Sequence, residues 1–72
     1  MTNNELKFGA IMHQDGQRYC HAAAVAAIAR AIEHPVDDWR RAAEEKQAIA
    51  WQGIANLNYR EATECLTLLL RR

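Results

Sequence analysis

The stretch Gln17-Arg18-Tyr19-Cys20-His21-Ala22-Ala23-Ala24-Val25-Ala26-Ala27-Ile28-Ala29-Arg30-Ala31-Ile32-Glu33 holds no helix breaker, and Arg30 is its only charge between residues 22 and 32. His21, Val25, Ile28 and Ile32 recur at helical spacing and predict one apolar stripe. Alanines fill the other faces. A helix apolar nearly all round is normally covered on several sides, so this segment is expected to be the central helix of the domain, a dimer seam, or both. Small residues let a second helix approach closely. Ala23 and Ala27 are therefore the expected self-association contacts of an isologous homodimer.

Working outward, Pro35 suits the first helical position, where its missing N–H costs nothing. Asp37 and Asp38 follow, where they complement the positive end of the helix dipole. A second helix is expected to about Gln52, with Trp39, Ala42, Ala43, Ile49 and Ala50 inward and Arg40, Arg41, Glu44, Glu45 and Lys46 outward. Gly53 fits a left-handed C′ position with Ile54 as the apolar partner of a Schellman ending. Asn58 and Glu61 resemble a capping box, with Leu57 and Ala62 as a staple. The third helix places Ala62, Cys65, Leu66 and Leu69 on one face, with Leu68 and Leu70 off it. Asp15-Gly16 reads either as a hairpin turn or as the N-cap of the first helix; the cap is favoured. The expected fold is all-α: a compact three-helix domain spanning 1–72, with helices at about 16–33, 36–52 and 59–71 and residues 1–14 as a short N-terminal arm or strand.

The 72 residues suffice for one domain with a thin core. Nine basic and nine acidic residues cancel, which speaks against a protein living on phosphate contacts and makes self-association easier. With no signal-like segment and no apolar run of membrane-spanning length, a cytoplasmic protein with free thiols at Cys20 and Cys65 is expected. His13, Cys20, His21, His34 and Cys65 lack the paired spacing of a zinc site. No nucleophile, base and oxyanion-hole set is recognisable. Neither catalysis, a metal nor a cofactor is expected.

Binding to a macromolecule is the remaining reading. Trp51, Leu68 and Leu70 lie partly off the inward stripes and form a candidate patch. Together with Arg40, Arg41, Tyr59 and Arg60, they are the candidate partner-binding residues, since aromatic and arginine side chains are the usual interface anchors. The same arginines could meet phosphates in a helix-turn-helix regulator, although Asp37, Asp38, Glu44 and Glu45 lie beside them.

Asp37-Asp38-Trp39-Arg40 and Leu57-Asn58-Tyr59-Arg60-Glu61-Ala62 resemble two elements of the small regulatory proteins of Mu-like phages: an acidic pair followed by an aromatic and an arginine, and a closing Leu-Thr-x-x-Glu-Ala helix, here with Asn for Thr. In size and character the chain is also similar to phage inhibitors of host machines, including anti-CRISPR proteins. These resemblances imply a phage or mobile-element protein that binds and inhibits or redirects a host protein. The alternative is a DNA-binding transcriptional regulator.

Overall fold

The computed structural model describes residues 1–71. Two long helices, α1 (Asn3–Ala31) and α2 (Trp39–Leu70), run antiparallel and are joined by the loop 32–38. The result is a rod of 53 × 13 × 12 Å. It is all-helical, as the sequence suggests, but it has two helices where three were expected.

The start of α1 explains the first difference. Thr2 Oγ1 accepts from the Glu5 amide at 3.1 Å, and the Thr2 amide donates to Glu5 Oε1 at 3.3 Å. This capping box starts a helix at Asn3, so residues 5–14 are helix rather than arm or strand, and Asp15 lies inside the helix instead of capping it. Gly16 is there for a different reason than turning the chain. A Cβ at this position would lie 2.9 Å from Asn58 Oδ1 of α2.

Between the helices, Pro35 sits in the loop and Asp38 is the N-cap of α2, accepting from the Arg40 amide at 2.9 Å. Helix α2 then passes through Gly53 and Asn58 without a break. No glycine among the described residues has positive φ, so Gly53 is not a C′ residue. Asn58 caps nothing; its Nδ2 donates to the Ile54 carbonyl one turn back, at 3.2 Å. The Leu57–Ala62 staple goes with that cap.

The continuity of both helices follows from an alanine heptad. In α1 the buried residues Leu6, Ala10, Cys20, Ala24, Ala27 and Ala31, with half-buried His13 and Gln17 between them, are spaced alternately three and four apart. In α2 buried Ala48, Ala55 and Ala62 recur every seven residues, with half-buried Glu44, Trp51, Asn58, Cys65 and Leu69 completing the pattern. This is the seam of an antiparallel coiled coil. With Cα cylinders of about 2.3 Å radius, the rod's width puts the helix axes about 8 Å apart, the close end of the usual range. Arg30 with Glu44, His21 with Gln52 and His13 with Asn58 set the register.

Because the seam is built on the small residues, several large ones assigned inward face solvent. Val25, Ile28 and Ile32 flank the seam and are exposed, Ile28 by 52%, and Trp39, Ile49, Ala42, Ala43 and Ala50 are exposed as well. In the final segment Ala62 is buried and Cys65 and Leu69 are half-buried as expected, while Leu66 is exposed. Among the described residues, Leu6 is the one large side chain that is fully buried. The molecule exposes 5457 Å², against about 4,500 Å² for a compact monomer of its mass.

Candidate interaction surfaces

The heptad sorts the remaining side chains onto two flanks and a back for each helix. On the first flank, α1 contributes Met12, Gly16, Tyr19 and Ala23, and α2 contributes Ile54 and Leu57 beside the half-buried Trp51. Tyr19 and Trp51 meet edge to face across the seam, ring centroids 6.0 Å apart and planes at 79°. Such a pair contributes about 0.5–1.5 kcal/mol beyond its area. Met12, Tyr19, Ile54 and Leu57 are all exposed. Around this cluster lie Glu5, Glu61 and Glu64 towards the chain termini and Arg30 towards the loop.

The second flank carries Ile11, Val25, Ile28 and Ile32 of α1 and Ile49, Tyr59, Leu66 and Leu70 of α2, all exposed. Towards the loop it continues into Val36 and Trp39, which are 83% and 77% exposed. Its middle is polar and tied across the seam. Gln52 Nε2 donates to Asn56 Oδ1, leaving Gln52 Oε1 to accept from His21 Nδ1–H at 3.0 Å. In the seam itself, Asn58 Nδ2 is used by Ile54, so Asn58 Oδ1 accepts from His13 Nδ1–H at 2.9 Å. Both imidazoles thus join the helices, and a polar pair at core heptad positions specifies register.

Two further ion pairs lie near the loop. Arg40 bonds Asp38 at 2.8 Å and Arg41 bonds Glu45 at 3.1 Å. The Arg40 hydrogen bonds hold the Asp38 carboxyl at about 2, well below its ordinary 3.8, and Asp38 in turn raises Arg40. Glu5 is lowered by its bonds to the Thr2 amide and hydroxyl. Pairs this exposed contribute little stability; their effect here is to neutralise the arginines.

The candidate partner-binding residues do not converge on one site. Arg40 and Arg41 begin α2, Trp51 sits near its middle against Tyr19, and Leu70 ends it, so Arg40 and Leu70 are about 45 Å apart at 1.5 Å per residue. Tyr59, Arg60 and Leu68 do come together, lining a shallow open depression with Thr63, Glu64 and Thr67. Ala27 is wholly buried and Ala23 half-buried. The alanine strip assigned to a second copy is largely occupied by α2 of the same chain.

Met12, Tyr19 and Ile54 were missed as surface residues. The signals available were the seven-residue recurrence of Ala48, Ala55 and Ala62, which turns Ile54 outward, and the three-and-four spacing of Leu6, Ala10, Cys20, Ala24, Ala27 and Ala31, which does the same for Met12 and Tyr19. Cys20 and Cys65 are free thiols on different levels of the seam, and among the described residues no three His, Cys, Asp or Glu side chains are placed to hold a metal ion. No described helix is long and apolar enough to cross a membrane. No protein-family model matches the chain, and neither a curated protein nor a solved structure is significantly similar to it.

Proposed function

We propose that this protein is a non-catalytic interaction module, a helical hairpin that docks an apolar flank on a host protein and inhibits or redirects it. An accessory protein of a phage or mobile element acting in the host cytoplasm fits this reading, and an anti-CRISPR-type inhibitor is its favoured concrete case, on the resemblance of Asp37-Asp38-Trp39-Arg40 and residues 57–62 to Mu-like phage regulators. The observation that carries the reading is the loop end of the second flank. There Val25, Ile28, Ile32, Val36, Trp39 and Ile49 are each more than half exposed on one end of a rod. A contiguous patch of this kind on a soluble chain marks a binding surface, and a large aromatic such as Trp39 beside aliphatic residues is typical of an interface centre.

Two further features favour protein over DNA as the partner. The net charge is zero, and Arg40 and Arg41 are engaged by Asp38 and Glu45. Recognition by a helix-turn-helix also needs a helix presented across a supporting one, whereas α2 lies along α1 for its whole length. A photo-crosslinking residue at Ile32, introduced in the bacterial host, tests the proposal. The expected result is one discrete adduct with a host protein, lost on Val36→Glu and absent with the crosslinker at Arg60. A salt-sensitive shift of DNA in a gel, with no protein adduct, would overturn it.

A further inference from the structure

The first flank carries a separate inference, independent of the host-protein reading. We propose that a second copy of this chain covers it, the two hairpins lying antiparallel about a twofold axis level with Ile54, so that four helices form one bundle.

Three observations converge on this. First, a coiled coil of alanines hides little: one large side chain among the described residues is fully buried, and the molecule exposes about a fifth more surface than a compact monomer of its mass. Small domains with so thin a core gain stability from disulfides, a metal or oligomerisation, and here Cys20 and Cys65 are free thiols. Second, the flank has the anatomy of a self-contact. Exposed Met12, Tyr19, Ile54 and Leu57 surround the half-buried Trp51, while Gly16 and Ala23 beside them keep the surface low enough for another helix to come close. From Glu5 to Arg30 it runs about 37 Å at 1.5 Å per residue. Across two helices of about 10 Å each, that is roughly 700 Å² per copy, the size of a standard stable interface.

Third, the charges select the orientation. In the register set by His13–Asn58 and Arg30–Glu44, Glu5, Glu61 and Glu64 lie near one end of the cluster and Arg30 near the other. Turning a second copy end for end about Ile54 brings its Ile54 onto Ile54 and its Trp51 level with Leu57. The same rotation brings Arg30 level with Glu5. A parallel pairing, both loops at one end, stacks acid on acid and base on base. Arg30 gives its Nε–H to Glu44 at 3.0 Å, and a guanidinium has further donors for a second carboxylate. Like charges brought together in this way cost several kcal/mol, and opposite ones fix register.

The test is mass by light scattering and sedimentation over a concentration series. Wild type is expected to pass from monomer to dimer and no further, and Ile54→Glu to stay monomeric with its helical circular dichroism retained. Charge reversal keeps the test valid even if Ile54→Glu unfolds. Glu5→Arg and Arg30→Glu should each weaken the dimer about tenfold or more, and the double variant should restore it. Val36→Glu, on the other flank, should leave the dimer intact while removing the host-protein adduct, so the two proposals fail separately. A wild type monomeric throughout overturns the inference. So does a dimer that ignores Ile54→Glu, and so does one that dissociates on Val36→Glu.

Discussion

Replacing Gly53 by alanine discriminates sharply between a continuous α2 and two shorter helices with a turn between them. In the structure Gly53 is helical, its φ is negative, and a Cβ added there meets nothing within 4 Å. The substitution therefore exchanges the poorest ordinary helix former for the best, a gain of about 1 kcal/mol. For a chain of this size that raises the melting temperature by about 4–8 °C. In a fold where Gly53 ends a helix in the left-handed region, the same change is destabilising by a comparable or larger amount. Gly16→Ala provides the internal contrast. It has the same propensity gain, but its Cβ would come within 2.9–3.1 Å of three atoms of the Asn58 amide, which is held by His13 and the Ile54 carbonyl. Displacing that amide costs a hydrogen bond and overpacks the seam, together about 2–3 kcal/mol, so the net effect is a loss of about 1–2 kcal/mol. Thermal and urea unfolding followed by circular dichroism, at equal protein concentration, read both. A Gly53→Ala variant less stable than wild type, or a Gly16→Ala variant more stable, refutes the reasoning.

Other perturbations test the seam and its surroundings. Ala27→Leu forces a larger side chain into a fully buried position and should cost about 1–3 kcal/mol or more, while Ala22→Leu, on the exposed back of α1, should change urea stability by less than about 0.5 kcal/mol. Ile28→Asp should leave the far-UV spectrum helical, since Ile28 is half exposed beside the seam; loss of the helical signal would place it in the core. Asp38, held at about 2 chiefly by the Arg40 side-chain hydrogen bonds, has a folded pKa below its unfolded one. Its contribution to stability is thus complete above about pH 4 and lost as pH falls towards 2. Asp38→Asn should flatten that part of the acid-unfolding curve, and an unchanged curve would contradict the cap.

How much of this was legible in the sequence depends on residue size. All-helical character followed from the unbroken stretch 17–33, and Ala62, Cys65 and Leu69 were placed on the correct face because a cysteine and a leucine mark it. The same reasoning misassigned the other faces, since hydrophobic periodicity weights large side chains and the seam here is built from Ala24, Ala27, Ala31, Ala48 and Ala55. Val25, Ile28 and Ile32 form a more conspicuous stripe and lie outside it. Gly16, Gly53 and Asn58 are residues that commonly punctuate helices, and local chemistry alone cannot distinguish a glycine that ends a helix from one that admits a neighbouring helix. The contact that explains Gly16 comes from Asn58, forty-two residues away in the chain, and is visible only once the two helices are set in register. The candidate partner-binding residues scattered for the same cause, since their grouping assumed a three-helix packing that would have drawn them together.

The central claim is the hairpin itself, a rod that reverses direction at residues 32–38. Spin labels at Asn4→Cys and Val36→Cys, in a Cys20→Ala, Cys65→Ala background diluted with unlabelled protein, measure its length directly. Helix α1 separates these sites by about 1.5 Å per residue, so the account predicts a distance of about 45 Å, consistent with the 53 Å length of the molecule. A compact three-helix domain of 72 residues has a radius of gyration of about 11 Å, against 16.2 Å here, and cannot hold two sites that far apart. A distance distribution centred below about 30 Å, as that radius would dictate, contradicts the hairpin.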